Sequence, residues 1–324
     1  MRKVLLALAL LMGVVFSVRA QTTPLATLTG ASVSGIAMTP AAELLFVADA
    51  AQNLLAVYDI SSPDTPQLIN EVALDGSPTA VVAGDNYAVV ALDIGDDSGL
   101  VEIVAPDPFN PGQYAIISFY DTTNPIYSLA ISPNQQWGAL MSDDWAAVVR
   151  IESPQDFIAY PTDDMTSPVD TAFASGLVLM AQSTPPQVLQ WTLGRGGTTM
   201  QDAVLSLDAQ PIALEITLNG SLGAVALDNN EVLFFDPETM EETSSPSISG
   251  GAITAMQFVA SETGDTLLVS TENSSDIEIV SIESPSSAGV SGSLSVGFVP
   301  VHMTIAADVL ALSDGQQVSL FQVP

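Results

Sequence analysis

The sequence predicts an all-β fold, a seven-bladed β-propeller with four-stranded blades, on three observations. One phrase recurs along the chain: an apolar strand opened by proline or a small residue, a turn, a second apolar strand, a polar loop, then a third strand. Its first strands begin near Gly35, Thr79, Ile126, Val169, Ile212, Ile253 and Val301. The spacing runs from 41 residues (Ile212 to Ile253) to 48 (Ile253 to Val301), and a four-stranded propeller blade takes about 40–50. The strands are short, β-branched or apolar, and bounded by turn formers. Many are apolar on both faces, as strands are when a sheet is packed on both sides.

The first complete unit shows the expected anatomy. Gly35 to Thr39 reads as strand a, Leu44 to Ala48 as b, Leu54 to Ile60 as c and Gln67 to Leu74 as d. Later b strands are expected at Tyr87–Leu92, Gly138–Met141, Leu177–Ala181, Gly223–Leu227, Thr266–Ser270 and Val309–Leu312. A lone strand at Pro24 to Thr29 precedes the first unit, and the last unit stops after its c strand, near Gln322. The N-terminal strand is therefore expected to complete the last blade, which removes the open edge that invites aggregation.

Residues 1–20 read as a secretory signal peptide and residues 21–324 as a single propeller domain. Arg2 and Lys3 precede an apolar run from Val4 to Phe16, and Val18 and Ala20 offer small residues for cleavage after Ala20. The run is short for a membrane span of about 20 residues. An exported, soluble protein, extracellular or periplasmic, with no membrane insertion is the expectation. With no cysteine there is no disulfide, and a chain of 324 residues is long enough to be stable on its core alone.

The charge balance restricts the partners. The chain carries 37 acids against five lysines and arginines, and Arg2, Lys3 and Arg19 lie within or beside the signal, leaving Arg150 and Arg195. Such a surface repels nucleic acid and anionic membranes. It suits a cationic ligand or a basic protein partner, or simple solubility in salt or acid. A monomer is expected.

The region from Leu45 to Ile60, LFVADAAQNLLAVYDI, resembles the YVTN-type propeller repeat. That from Leu55 to Leu74, LAVYDISSPDTPQLINEVAL, looks like the LVIVD repeat of secreted bacterial proteins. Glu102 to Phe119 echoes it with PDPFNP. The resemblance implies a propeller displayed outside the cell. It transfers no catalytic residue, because both families are defined by repeats and not by one chemistry.

Three groups of residues carry candidate chemistry. In a propeller the b–c and d–a loops share one rim. The b–c loops contain Asp49; Asp93, Asp96 and Asp97; Asp143 and Asp144 beside Trp145; Asp228; Glu272 and Asp276; and Asp314. The d–a loops add Asp75, Asp121, Asp163, Asp164 and Asp208. A ring of carboxylates suits hard cations such as calcium and steers basic partners. The same residues also favour tight turns, whose backbone they cap. The loop DIGDDSG, Asp93 to Gly99, is the metal candidate, although Gly95 and Val104 break the EF-hand spacing.

The third group lines the ring axis. Aligned on the preceding proline, the a strands place Gly35, Ala80, Tyr127, Asp170, Ala213, Thr254 and His302 at one level, with Glu215 two residues deeper. Tyr127, Asp170, Glu215 and His302 could form a small-ligand or catalytic pocket, with His302 as a proton carrier. They could equally bond to neighbouring backbone and lock adjacent blades. One histidine and no cysteine exclude His/Cys zinc clusters and cysteine nucleophiles, and GRGG at Gly194–Gly197 opens no helix. No cofactor is required, with calcium the ion to test. Three readings follow: a non-catalytic binding scaffold with an acidic rim, a lactonase-like or other hydrolase using the central pocket, and a surface component adapted to salt or acid.

Overall fold

The computed structural model describes residues 18–21, 23–30, 32–151, 157–159, 167–174, 176–193, 199–261 and 264–323. Within them the chain forms seven antiparallel blades in a ring. Blade I is β3 (Val33–Met38), β4 (Leu44–Asp49), β5 (Leu54–Asp59) and β6 (Gln67–Ala73). Blade II is β7 (Ser77–Ala83), β8 (Ala88–Gly95), β9 (Ser98–Pro106) and β10 (Tyr114–Thr122). Blade III is β11 (Ser128–Ile131), β12 (Trp137–Met141), β13 (Ala146–Arg150) and β14 (Phe157–Ala159). Blade IV is β15 (Pro168–Ala174), β16 (Leu177–Ser183), β17 (Pro186–Leu193) and β18 (Thr199–Ser206). Blade V is β19 (Pro211–Ile216), β20 (Gly223–Leu227), β21 (Val232–Asp236) and β22 (Glu241–Ser244). Blade VI is β23 (Ile253–Ser261), β24 (Gly264–Thr271), β25 (Asp276–Ser284) and β26 (Ser287–Ser295).

Blade VII closes the ring. Its inner strands β27 (His302–Ala306), β28 (Val309–Ser313) and β29 (Gln317–Gln322) come from the C-terminal end, and its outer strand β2 (Ala26–Thr29) from the N-terminal end. Ala26 pairs with Leu320 and Thr29 with Gln317, antiparallel. Closure by the N-terminal strand is thus as the sequence predicts. The backbone of β1 (Val18–Gln21) adds to blade VI as a fifth strand, parallel to β26 from Gly292 to Ser295. The expected cleavage after Ala20 falls inside this strand; residues 1–17 lie outside the described residues.

The turns between a and b strands share one chemistry. In blades I, III and V a hydroxyl residue opens the turn: Thr39, Ser132 and Thr217. Its carbonyl accepts from the residue three positions on, Ala42, Gln135 and Gly220, at 2.7–2.8 Å. Its side-chain oxygen accepts from a backbone N–H at the start of the b strand, as from Leu44 at 3.0 Å and Trp137 at 3.0 Å, or just before it, as from Leu222 at 3.1 Å. The third position is left-handed, with φ of 53° at Ala42, 59° at Gln135 and 73° at Gly220. Only Gly220 adopts it at no steric cost.

The core is seven apolar layers, one between each pair of neighbouring blades. Phe46, Leu55 and Val57 of blade I meet Val90, Leu92 and Leu100 of blade II, and Met180, Leu189 and Trp191 of blade IV meet Met141 and Val148 of blade III. The last layer, between blades VII and I, joins Leu320 and Val318 to Leu45 and Val47. Each b strand contributes alternate residues to two layers, which is why it is apolar on both faces. Burial of these layers supplies the main stabilisation, about 25 cal/mol per Å² of apolar surface.

Candidate binding site

The a strands line the ring axis, and their first residues enclose a cavity of about 340 Å3. Gly35, Ala80, Tyr127, Asp170, Ala213 and His302 all line it, with Glu215 deeper. Thr254 departs from the expected level. Its hydroxyl turns to the next blade and donates to the Pro300 carbonyl at 2.7 Å, while Ala255 and Met256 line the cavity. Further cavities of about 410 and 520 Å3 continue along the axis to the opposite face.

Most polar side chains on this wall clip one blade to the next. Thr79 of blade II donates to the Ile126 carbonyl just before β11 of blade III. Ser128 of blade III donates to Asp170 Oδ1 of blade IV at 2.7 Å and accepts from the Thr171 amide at 3.0 Å. The other Asp170 oxygen, Oδ2, accepts from the Leu214 amide of blade V at 2.8 Å. Gln257 of blade VI donates to Glu215 of blade V at 3.3 Å, and His302 of blade VII bonds the backbone of Val33 in blade I. Gly35 completes the circle sterically: a Cβ there would lie 3.0 Å from Val81 of blade II. The blade-locking alternative therefore accounts for Asp170 and His302.

The electrostatics separate the wall residues. Burial raises the Asp170 carboxyl above its ordinary value, against the pull of its three hydrogen-bond donors. Burial, and then the charge of Asp170, hold Glu215 well above its ordinary value, which favours its protonated form. Burial lowers His302, against its bond to Val33, which favours the neutral imidazole. Tyr127 is 50% exposed at the mouth of the cavity. Its hydroxyl is pushed up by partial burial and then by the charges of Asp143, Asp93 and Asp97.

The rim residues divide into turn caps and free-standing acids. Asp49 is buried, and its Oδ1 accepts from the Ala51 and Gln52 amides at 2.9 and 3.1 Å, which shapes the b–c turn of blade I. Asp314 caps blade VII in the same way, through Gln316 and Gln317. Asp228 accepts from the Gln210 amide at 3.1 Å, Asp144 from the Asn124 side chain at 2.6 Å, and the exposed Glu272 from Asn273 at 3.1 Å. Asp276 opens β25 and is half-buried. Asp143, Asp96 and Asp97 are exposed. Asp163 and Asp164, like Arg195 and the GRGG segment, lie outside the described residues.

The Asp93–Gly99 loop is a hairpin. β8 runs to Gly95 and β9 starts at Ser98, so Asp96 and Asp97 form a two-residue turn with φ of 54° and 56°. Both central residues are left-handed, as a type I′ hairpin requires. Asp93 Oδ1 accepts from the Gly95 amide at 2.8 Å. Among the described residues no three Asp, Glu or His side chains converge as metal ligands do. Trp145 sits in the rim loop, but its ring packs half-buried against the Val89, Ile126 and Leu140 layer between blades II and III.

One carboxyl escapes the sequence reading. Glu102, in the middle of β9, is fully buried, with Asp75 its interacting polar neighbour. Burial, and then the charge of Asp75, push it up to about 7. The available signal was the lone acid in the apolar run Leu100–Val104.

No protein-family model and no curated protein matches this chain. The fold and the site define a seven-bladed β-propeller with an axial cavity. Among the described residues no helix is long and apolar enough to cross a membrane.

Proposed function

We propose that this chain is an exported, non-catalytic propeller that serves as a binding scaffold, and that it receives a cationic ligand or basic partner at the acidic mouth of its axial channel. The observation that carries the reading is Tyr127, half exposed at the cavity mouth with its hydroxyl in the field of Asp93, Asp97 and Asp143 from two blades. An aromatic face beside several carboxylates attracts cations by both ring quadrupole and charge. The wider acidic loops, including Asp96, Asp144, Asp228 and Glu272, extend the same field.

Two further points support the scaffold reading. Asp170 and His302 are committed to blade-to-blade bonds, so their placement has a structural cause. The LFVADAAQNLLAVYDI segment forms β4, a tight turn and β5 of blade I, in keeping with assignment of the blades to the YVTN and LVIVD repeat types. Export rests on the N-terminal pattern of the sequence. A hydrolase reading draws on the same cavity, with His302 as base and Glu215 as acid; turnover of a lactone that persists in H302A and E215A would dismiss it.

The test is equilibrium binding of a fluorescent hexalysine peptide to the wild type and to D93N/D97N/D143N. The wild type should bind, with affinity falling as salt rises, and the variant should bind at least tenfold more weakly. Equal binding by both proteins would remove the mouth as the receptor.

A further inference from the structure

The axial channel changes character along its length, and Glu215 stands where it changes. Glu215 lines both the 340 Å3 cavity below the acidic mouth and the 410 Å3 cavity beyond it. Past Glu215 the wall mixes apolar Ile131, Phe258, Val259 and Ile305 with polar Thr171, Thr217, Asn219 and Gln257, and Leu218 is 73% exposed at the far opening. The two axial carboxyl groups are treated differently. Asp170 spends its oxygens on Ser128, Thr171 and Leu214. The described bond to Glu215 is a single long one, 3.3 Å from Gln257 to Oε2.

A partly buried carboxyl with spare acceptor capacity is stabilised by a partner that brings its own positive charge and donors. A bare cation would leave the apolar residues beyond Glu215 without a partner, and a neutral hydrocarbon would leave Glu215 unmatched. We propose that the channel binds an aliphatic primary amine, its ammonium against Glu215 and its hydrocarbon chain along Ile131 and Ile305 toward Leu218. The inference rests on the cation-binding reading of the channel and names the ligand class. The carboxylates at the mouth steer the amine in. On binding, the Glu215 proton passes to the buffer, and the carboxylate and ammonium remain as a hydrogen-bonded pair. A lysine side chain of a partner offers the same chemistry as a free amine.

The experiment is isothermal titration calorimetry of the full chain with three probes: n-octylammonium, n-octanol (the tail without the charge) and methylammonium (the charge without the tail). Each is run in two buffers of different ionisation enthalpy. Octylammonium should bind at least tenfold more tightly than either control and release a proton. E215Q should lose at least tenfold in octylammonium affinity, and the proton release, while octanol is unchanged. L218Q, at an exposed position that folding tolerates, should weaken octylammonium severalfold and leave methylammonium alone. Nα-acetyl-lysine amide replaces octylammonium in a further arm; whichever binds more tightly identifies the source. Octanol binding as tightly as octylammonium, or undiminished octylammonium binding by E215Q or by L218Q, would overturn the proposal. The mouth reading is judged separately: D93N/D97N/D143N weakening hexalysine while E215Q leaves octylammonium unchanged would sink the amine site alone.

Discussion

Glu102, sealed in the layer between blades I and II, lies under the influence of Asp75 on the connection from β6 to β7. The two carboxyl groups belong to neighbouring blades, and one of them is fully buried. A charged Glu102 would be a carboxylate in hydrocarbon, beside Val90 and Leu100, with a second negative charge nearby.

A pH dependence of stability follows. The folded chain binds the Glu102 proton up to about pH 7, whereas an unfolded glutamate releases it near 4.5. The stabilisation is full below the unfolded value and is lost as pH rises through about 7. Its size is of order 3 kcal/mol, at about 1.4 kcal/mol per unit of pKa difference. Urea denaturation of wild type and E102Q across pH 4–8 checks this. The difference between the two curves should change over that window; a constant difference would show that Glu102 does not titrate with folding.

Asp170 ties together blades III, IV and V through Ser128, Thr171 and Leu214. D170A strands the Leu214 amide and the Ser128 hydroxyl, at a cost of about 2–4 kcal/mol. D170N keeps one acceptor oxygen and should lose less. Denaturant midpoints at constant slope give both values, and the order wild type, Asn, Ala is the expected result.

Ring closure rests on β2 and not on β1. A chain beginning at Thr22 keeps Ala26–Thr29 and its pairing with β29, so it should melt cooperatively, within a few degrees of the longer protein. A chain beginning at Gly30 exposes the edge of β29 and uncovers Leu28's place in the VII–I layer. It should lose cooperative melting and aggregate. Scanning calorimetry with light scattering distinguishes the two.

The mouth field is readable from Tyr127 itself. Partial burial and then Asp143, Asp93 and Asp97 raise its phenol. Replacing the three acids by asparagine should lower its ionisation toward the ordinary tyrosine value, near 10. The ultraviolet difference titration of each protein against its Y127F counterpart isolates this one ring. An unchanged midpoint would mean that the three charges do not reach it.

The architecture was legible because a blade must bury both faces of its strands, and that demand is written as repeated apolar runs such as Leu44–Ala48 and Val309–Leu312. Closure was legible from a lone strand at one end and a missing one at the other. The axial residues were found by aligning the strand openings, which placed Tyr127, Asp170 and His302 on the cavity wall. Their roles were not legible, because Asp170 binding Leu214 depends on a neighbour 44 residues away. Thr254 was misplaced by one residue: the a strands of blades I, II, IV and V carry the same β-bulge, and the residue after it lines the cavity there, as Ala255 does in blade VI. The rim acids could not be sorted by sequence, since capping a turn, as Asp49 does, and standing free, as Asp143 does, use the same residue type.

The most direct test of a cation-receiving mouth is calorimetric melting of wild type and D93N/D97N/D143N in EDTA, in calcium, and in hexalysine, each matched in ionic strength with sodium chloride. The account predicts that a cation raises the wild-type melting temperature beyond the sodium control, and that the variant loses this increment. An equal rise with sodium in both proteins would be screening of a crowded negative surface and would contradict it.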